Sequence, residues 1–304
     1  MGDTAFRWLA LASGMLVLII LALIVLSTTN QARPAFTHMG LDFFTSTRWA
    51  PAEDRFGALD FIYGTALISV LALVLAVPVS LALAIFLSEI AAPRARSGVV
   101  YAIDLLAAVP SVVWGLWGFI VLRSPLQTFY GWLSDVLAPI PLIGRLFEGG
   151  LRPELRHRRH RAGADDHPDH HLAVAEVMDT VPLAQKEAAW ALGATRWEMI
   201  RGAILPYSKG GIIGAVVLGL GRAMGETIAV ALVIGSSAQI TARLFASGDA
   251  LPSQIANQFN ESEGLFRSAL IALGVTLFLF TIIVNLVARA IIVRSTRHLK
   301  GVAL

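Results

Sequence analysis

Residues Trp8–Leu26 contain no charged side chain, and four other stretches are nearly as apolar: about 61–87, 99–122, 210–235 and 266–293. A helix that crosses a bilayer needs about 20 mostly apolar residues, so each stretch is long enough to span. Of the 304 residues, 56% are hydrophobic and only 15% charged. Soluble domains carry about 25% charge, and this deficit argues against an ordinary soluble enzyme. The expectation is an all-α integral membrane bundle forming a single transmembrane domain over 1–304. The first apolar run exceeds the 7–15 residues of a signal-peptide core and reads as an uncleaved span.

No cysteine is present, which removes disulfides, thiolate metal sites and cysteine nucleophiles. The net charge of +3 is small, and the basic pI of about 9.6 fits cytoplasmic loops of a membrane protein better than a nucleic-acid surface. The connecting segments differ in character. Residues 28–60 are polar and aromatic (Phe43, Phe44, Trp49) and suit a loop at the membrane surface. Residues 123–150, with Phe129, Tyr130 and Trp132, read as interfacial. Residues 178–209 are basic and helical, and 238–263 are polar.

The stretch 151–176 does not match its surroundings. Its histidines His157, His160, His167, His170 and His171, beside several aspartates, could hold zinc or nickel, or could be a solvated charged loop. A third reading comes from codons. Asp and His codons end in A followed by T or C, and His and Pro codons begin with C. Read one base later, Asp166-His167, His167-Pro168, Asp169-His170 and His170-His171 can each spell only Ile or Thr. Permitted codons elsewhere in the stretch extend this to an apolar text long enough for a span. The segment therefore reads as a fourth span, at 151–177, translated out of frame between about Gly150 and Glu176.

Charge placement agrees. With the N-terminus inside, Arg94 and Arg96 fall in the cytoplasm, as basic loop residues do. Only a crossing at 151–177 also puts Lys186, Arg196, Arg201, Lys209, Arg289, Arg294, Arg297 and Lys300 inside. Six spans, with both termini cytoplasmic, are expected.

The basic loop holds Glu187-Ala188-Ala189, then Gly193, then Leu205-Pro206. Glu187–Leu192 favours helix, Gly193 permits a turn, and Thr195-Arg196-Trp197-Glu198 is a capping box opening a second short helix, which Pro206 is expected to close. Trp190, Leu192, Trp197 and Ile200 would form an apolar knob, either for a protein partner or for packing within the chain.

These residues resemble the coupling-helix motif of ABC importer permeases, with Ala203 where the family pattern has Ile. Four further segments resemble the permeases of phosphate-specific importers, of the C-subunit type: Phe61-Ile62-Tyr63-Gly64-Thr65, Ala76-Val77-Pro78-Val79-Ser80, Val109-Pro110-Ser111 with the following Val112–Gly118, and Gly221-Arg222-Ala223-Met224-Gly225-Glu226-Thr227. The resemblance implies a cell-membrane permease that forms half of a pathway for inorganic phosphate. It implies a second, A-type permease, two ATP-binding subunits and an extracytoplasmic phosphate-binding protein as partners, with no nucleic acid and no cofactor. It also implies coupling to the ATPase through 187–206, by Glu187, Ala188, Ala189, Gly193, Leu205 and Pro206. No phosphate-binding Gly-x-x-x-x-Gly-Lys-(Ser/Thr) loop occurs in the chain.

Arg222 and Glu226 stand four apart and are expected on one face of the fifth span. Ionisable groups there cost roughly 2.5–3.5 kcal/mol on insertion scales, so a mutual salt bridge or an oxyanion path is implied: Arg222 attracting the anion, Glu226 keeping its hold weak. Thr227 joins them by the resemblance. Ser111 brings a hydroxyl to the Pro110 kink, which could equally be a simple bend. The alternatives are a permease for sulfate or molybdate, a membrane-anchored metal-binding protein using the histidines, or a secondary transporter that needs no ATPase.

Overall fold

The computed structural model describes residues 2–137, 139, 181–235, 237, 239–241 and 248–297. The span expected at 151–177 and its histidines lie outside the described residues. Helix α1 (Gly2–Met39) carries the first apolar run and continues past Leu26 and through Pro34, further than hydropathy alone marks. From Phe6 to Ile24 its side chains are exposed on this chain, as lipid-facing residues would be. Past that point Ala32 and Ala35 are buried against the last helix and the segment that follows.

That segment is folded rather than a surface loop. A short helix α2 (Asp42–Thr45) leads to a two-residue hairpin, β1 (Trp49–Ala50) antiparallel to β2 (Arg55–Phe56), with Trp49 opposite Phe56. Asp54 closes the turn at φ 53°, a left-handed conformation that Asp tolerates better than most residues. The Trp49 ring meets Phe56 and Phe61 edge-on at 5.2 and 5.1 Å. Phe43, Phe56, Phe61, Leu251, Leu270 and Leu273 make one buried cluster, so the cap is held by burial of aromatic surface.

Helix α3 (Leu59–Ile85) passes through Pro78 and ends in a π turn, Phe86–Ile90. The third apolar segment is not one helix. α4 (Pro93–Ala107) and the continuous piece made of α5 (Ser111–Trp117), a π turn (Gly118–Leu122) and α6 (Arg123–Leu137) meet at 88°. Pro110 has no N–H to continue the ladder and drives Val109 out of helical conformation, so the expected helix at 99–122 breaks in its middle.

After the undescribed stretch come α7 (Leu183–Ala191) and α8 (Arg196–Met199), then a π turn (Ile200–Ile204) that runs directly into α9 (Leu205–Gly225). Pro206 does not end the helix as expected. It sits in the first turn of α9, where its missing N–H is tolerated, and the widened π turn before it relieves the ring's crowding of earlier carbonyls. The fifth segment also breaks: α9 stops at Gly225, and a short α10 (Ile228–Val233) follows. α11 (Leu251–Gln258) is buried at its start, and α12 (Gly264–Arg297) closes the described chain.

Packing fixes relative directions. Ile85 of α3 lies with Ile200, Ile204 and Leu205, while Leu73–Leu81 of α3 lines a shared groove with Ile212 and Val216; α3 and α9 are therefore antiparallel. Gly115 meets Ala229, and Gly118 meets Val233, so α5 and α10 run parallel. Among the described residues, four helices, or five with the bent pair as one, are long and apolar enough to cross a bilayer. The chain is a multi-pass membrane protein.

Candidate functional site

The loop element has two faces. Thr195 and Glu198 form the expected capping box: the Thr195 N–H donates to Glu198 Oε2 at 2.7 Å, and the Glu198 N–H donates to Thr195 Oγ1 at 3.4 Å. Gly193 takes φ +78°, a conformation that costs a side-chain-bearing residue and suits glycine. Met199, Ile200 and Ile204 turn inward with Val181 and pack on Ile85 of α3. Ile200, expected on the exposed knob, is thus part of the chain's own core, because the π turn carries it under α7 and α8. Trp190, Leu192 and Trp197 stay outside, at 49%, 89% and 61% exposure. Glu187 and Ala188 are exposed and Ala189 is half-buried against the inward cluster, while Leu205 and Pro206 begin α9.

Sequence reasoning missed one partner of this element. Lys186 Nζ lies 2.5 Å from Glu89 Oε1, with side chains 14% and 7% exposed. Glu89 sits in the π turn that ends α3. The only signal available was that each charge adjoins an apolar run.

The second group lies at the two helix breaks. Glu226 follows the last residue of α9 with an extended ψ of 118°, and its Oε1 accepts the Ala229 N–H at 3.3 Å, capping α10. Thr227 Oγ1 donates to the Gly225 carbonyl at 3.0 Å. Glu226 is the capping residue of α9, with a helical φ of −66°, so it stands one turn after Arg222 at the point where the helix ends. Gly225 weakens the helix where Glu226 offers the next one a side-chain acceptor. Arg222 projects from the last turn of α9 onto the surface of this chain. Gly221, one residue before Arg222, faces the Asn285 side chain of α12.

Ser111 opens α5 directly after the Pro110 break. Gly115, one turn further along α5, meets Ala229 of α10, the helix that follows the Gly225–Thr227 break. The helices that follow the two breaks, α5 and α10, are thus packed against each other. Non-helical backbone at membrane depth is tolerated where it is buried in protein or lines a watery path.

Comparison with known proteins agrees with this architecture. Residues 172–297 match the family model described as binding-protein-dependent transport system inner membrane component. A bacterial ABC transporter involved in the import of the acidic polysaccharide alginate superimposes with a TM-score of 0.61 at 18% identity, covering 96% of this chain and 97% of that one. The phosphate transport system permease protein PstC of Xylella fastidiosa (strain Temecula1) is 41% identical over 97% of this chain and 92% of its own. That of Mesorhizobium japonicum is 37% identical over 96% and 90%. The fold is that of an ABC importer permease, a membrane transport subunit. Within that class, the chain belongs to the PstC family of phosphate transport system permeases.

Proposed function

We propose that this chain is one of two permease subunits of an ATP-driven importer of inorganic phosphate in the cell membrane. The observation that carries the reading is the two-faced element at 183–204: its inner side is locked to α3 by Ile85 and Lys186, while Trp190, Leu192 and Trp197 are left bare. A surface of aromatic anchors on a rigid mount suits docking to a partner, here a separate ATPase. Glu187, Ala188, Ala189, Gly193, Leu205 and Pro206 form its frame. Closure of two ATPase subunits would push this mount and, through α3 and α9, switch access between the two sides of the membrane.

Phosphate as cargo is supported by the PstC relatives, whose names carry it. Within the chain, Arg222 would attract the anion. Glu226 and Thr227 would shape the break beside it, and Ser111 would add a hydroxyl. Both termini lie in the cytoplasm in this reading. An A-type permease completes the pathway, and an extracytoplasmic phosphate-binding protein delivers the anion; one structural neighbour is an alginate transporter in complex with a pentasaccharide-bound periplasmic protein. No reaction is catalysed by this chain itself, and ATP is hydrolysed by its partners.

The test is reconstitution of all subunits in vesicles with internal ATP, following labelled phosphate uptake against excess sulfate or molybdate. Uptake that phosphate alone suppresses supports the assignment. Suppression by sulfate or molybdate instead would make the importer one for a different oxyanion, and uptake without the ATPase would make it a secondary transporter.

A further inference from the structure

Of all the contacts between the 183–204 element and the spans, the Lys186–Glu89 pair is the most sharply defined. Its two side chains are almost fully enclosed, at 14% and 7% exposure, with 2.5 Å between Nζ and Oε1. The residues are 97 positions apart, so the contact joins α7 to the end of α3 and to nothing local. Glu89 reaches it from a π turn: the Ala91 N–H bonds the Phe86 carbonyl at 2.8 Å, five residues back. One inserted residue of this kind rotates every following side chain about the helix axis, and such turns concentrate at functional sites. A second π turn, Ile200–Ile204, lies across the same junction and brings Ile200 and Ile204 onto Ile85.

The junction therefore has two parts with different mechanics. The apolar cluster of Ile85, Met199, Ile200 and Ile204 is non-directional and can slide by small steps at little cost. The ion pair cannot: once enclosed, separating it leaves a charge without compensation, so Lys186 and Glu89 must move together. A push delivered to α7 through its exposed aromatic face would be passed to α3 with a fixed register by this pair, and only loosely by the apolar contacts.

We infer that the Lys186–Glu89 pair is the strut that passes displacement of the 183–204 element to the inner end of α3, making these two residues positioning residues for transport. This rests on the ATP-driven reading above. The strut predicts a failure of coupling rather than of assembly or of ATP hydrolysis.

The experiment uses the full importer in proteoliposomes and measures phosphate accumulated per ATP hydrolysed, together with the amount of assembled complex. Glu89→Gln and Lys186→Met should each lower that ratio by about fivefold or more while hydrolysis continues, and the exchanged pair Glu89→Lys with Lys186→Glu should recover at least about half of it. Glu89→Asp keeps the charge on a shorter arm; it should assemble normally and still lower the ratio, which covers the case in which the neutral variants do not fold. Ratios equal to wild type in assembled complexes, or losses that only track the amount of complex, would overturn the strut. Absence of ATP-dependent phosphate accumulation by the unaltered importer would instead overturn the function on which it rests.

Discussion

Thr65 Oγ1 accepts the Leu251 N–H at 2.9 Å and donates to the Phe61 carbonyl at 2.8 Å, so one buried hydroxyl ties the first turns of α3 to the start of α11. Beside it, Gly64 lies directly against the Asp249 carbonyl, with no room for a Cβ. The two contacts fail differently. Thr65→Val leaves a buried N–H unpaired, at about 1–3 kcal/mol. Gly64→Ala forces backbone apart and should cost more, since neither strand of the contact ends in a flexible side chain. Thermal unfolding of the purified complex in detergent should show both midpoints lowered, Gly64→Ala the further. A Gly64→Ala midpoint equal to wild type would mean α11 does not dock on α3 in this way.

The two faces of the 183–204 element separate binding from stability. Trp197 is 61% exposed and Ile200 only 2%, although they are three residues apart. Trp197→Ala should leave folding intact and weaken retention of the ATPase subunits by at least about tenfold, the size of loss expected for a central aromatic anchor. Ile200→Ala should do the reverse, costing about 2–5 kcal/mol of stability by opening a cavity with little direct effect on docking. Pull-down of the ATPase with each variant, alongside its melting curve, distinguishes them. The assignment of faces is wrong if Trp197→Ala melts early yet binds normally.

Glu226 has two separable tasks in the proposed pathway, capping α10 through the Ala229 N–H at 3.3 Å and countering the charge of Arg222. Glu226→Gln retains a carbonyl acceptor for the cap and removes only the charge. Phosphate should then be held more tightly and released more slowly, so both the apparent KM and the maximal uptake rate fall. Arg222→Gln should lower uptake by about tenfold or more, the equivalent of one charge-assisted hydrogen bond of about 1.5 kcal/mol. Concentration-dependent uptake in vesicles reads both. Unchanged kinetics in Arg222→Gln would remove these residues from the path.

What could be read from the sequence was local. The capping box needs only Thr195 and Glu198, three residues apart, and Gly193 announces its own turn. Apolar length marked the long helices α1, α3 and α12. The breaks were harder, because Gly225-Glu226-Thr227 interrupts an otherwise helical pattern, and the gain that stabilises the break is contact of α10 with α5, more than a hundred positions away. Pro110 did signal a bend, but its angle depends on where α4 packs. The aromatic cap over 42–61 and the Lys186–Glu89 pair are also long-range products. Hydropathy read the first as a surface loop and gave the second no partner, since neither periodicity nor charge spacing carries information across such distances.

At Gly115, α5 and α10 come close: a Cβ there would lie 2.8 Å from Ala229 Cα and 3.0 Å from Leu232 Cδ1. Small residues let helices approach where lipid gives no hydrophobic drive for association. Gly115→Val should push α10 away from α5 and separate the two breaks, reducing uptake more than it reduces the amount of complex. Gly118, whose Cβ would meet Val233 only at 3.9 Å, is the internal control, and Gly118→Ala should be nearly silent. Equal effects at the two positions would place the contact elsewhere.

Charge placement bears on the reading frame of 151–176. The expectation of six spans places a crossing at 151–177, since only then do Lys186, Arg196, Arg201 and Lys209 fall on the cytoplasmic side with the N-terminus inside. As written, that interval holds five arginines and five histidines within 152–171, and arginine at a span centre costs roughly 2.5–3.5 kcal/mol even on the mildest scale. One permitted choice of codons from Arg156 to His171 gives an uncharged, apolar text in the shifted frame, with Ile or Thr forced at four positions. Sequencing the coding DNA from Leu142 to Pro182 should reveal two compensating single-base changes, one near Gly150 and one near Glu176. A gene that reads as the protein is written would refute the frame explanation. Replacing 151–176 with the shifted text should then raise the amount of membrane-inserted complex and restore uptake, whereas retention of zinc or nickel by the unaltered protein would return the histidines to a metal-binding role.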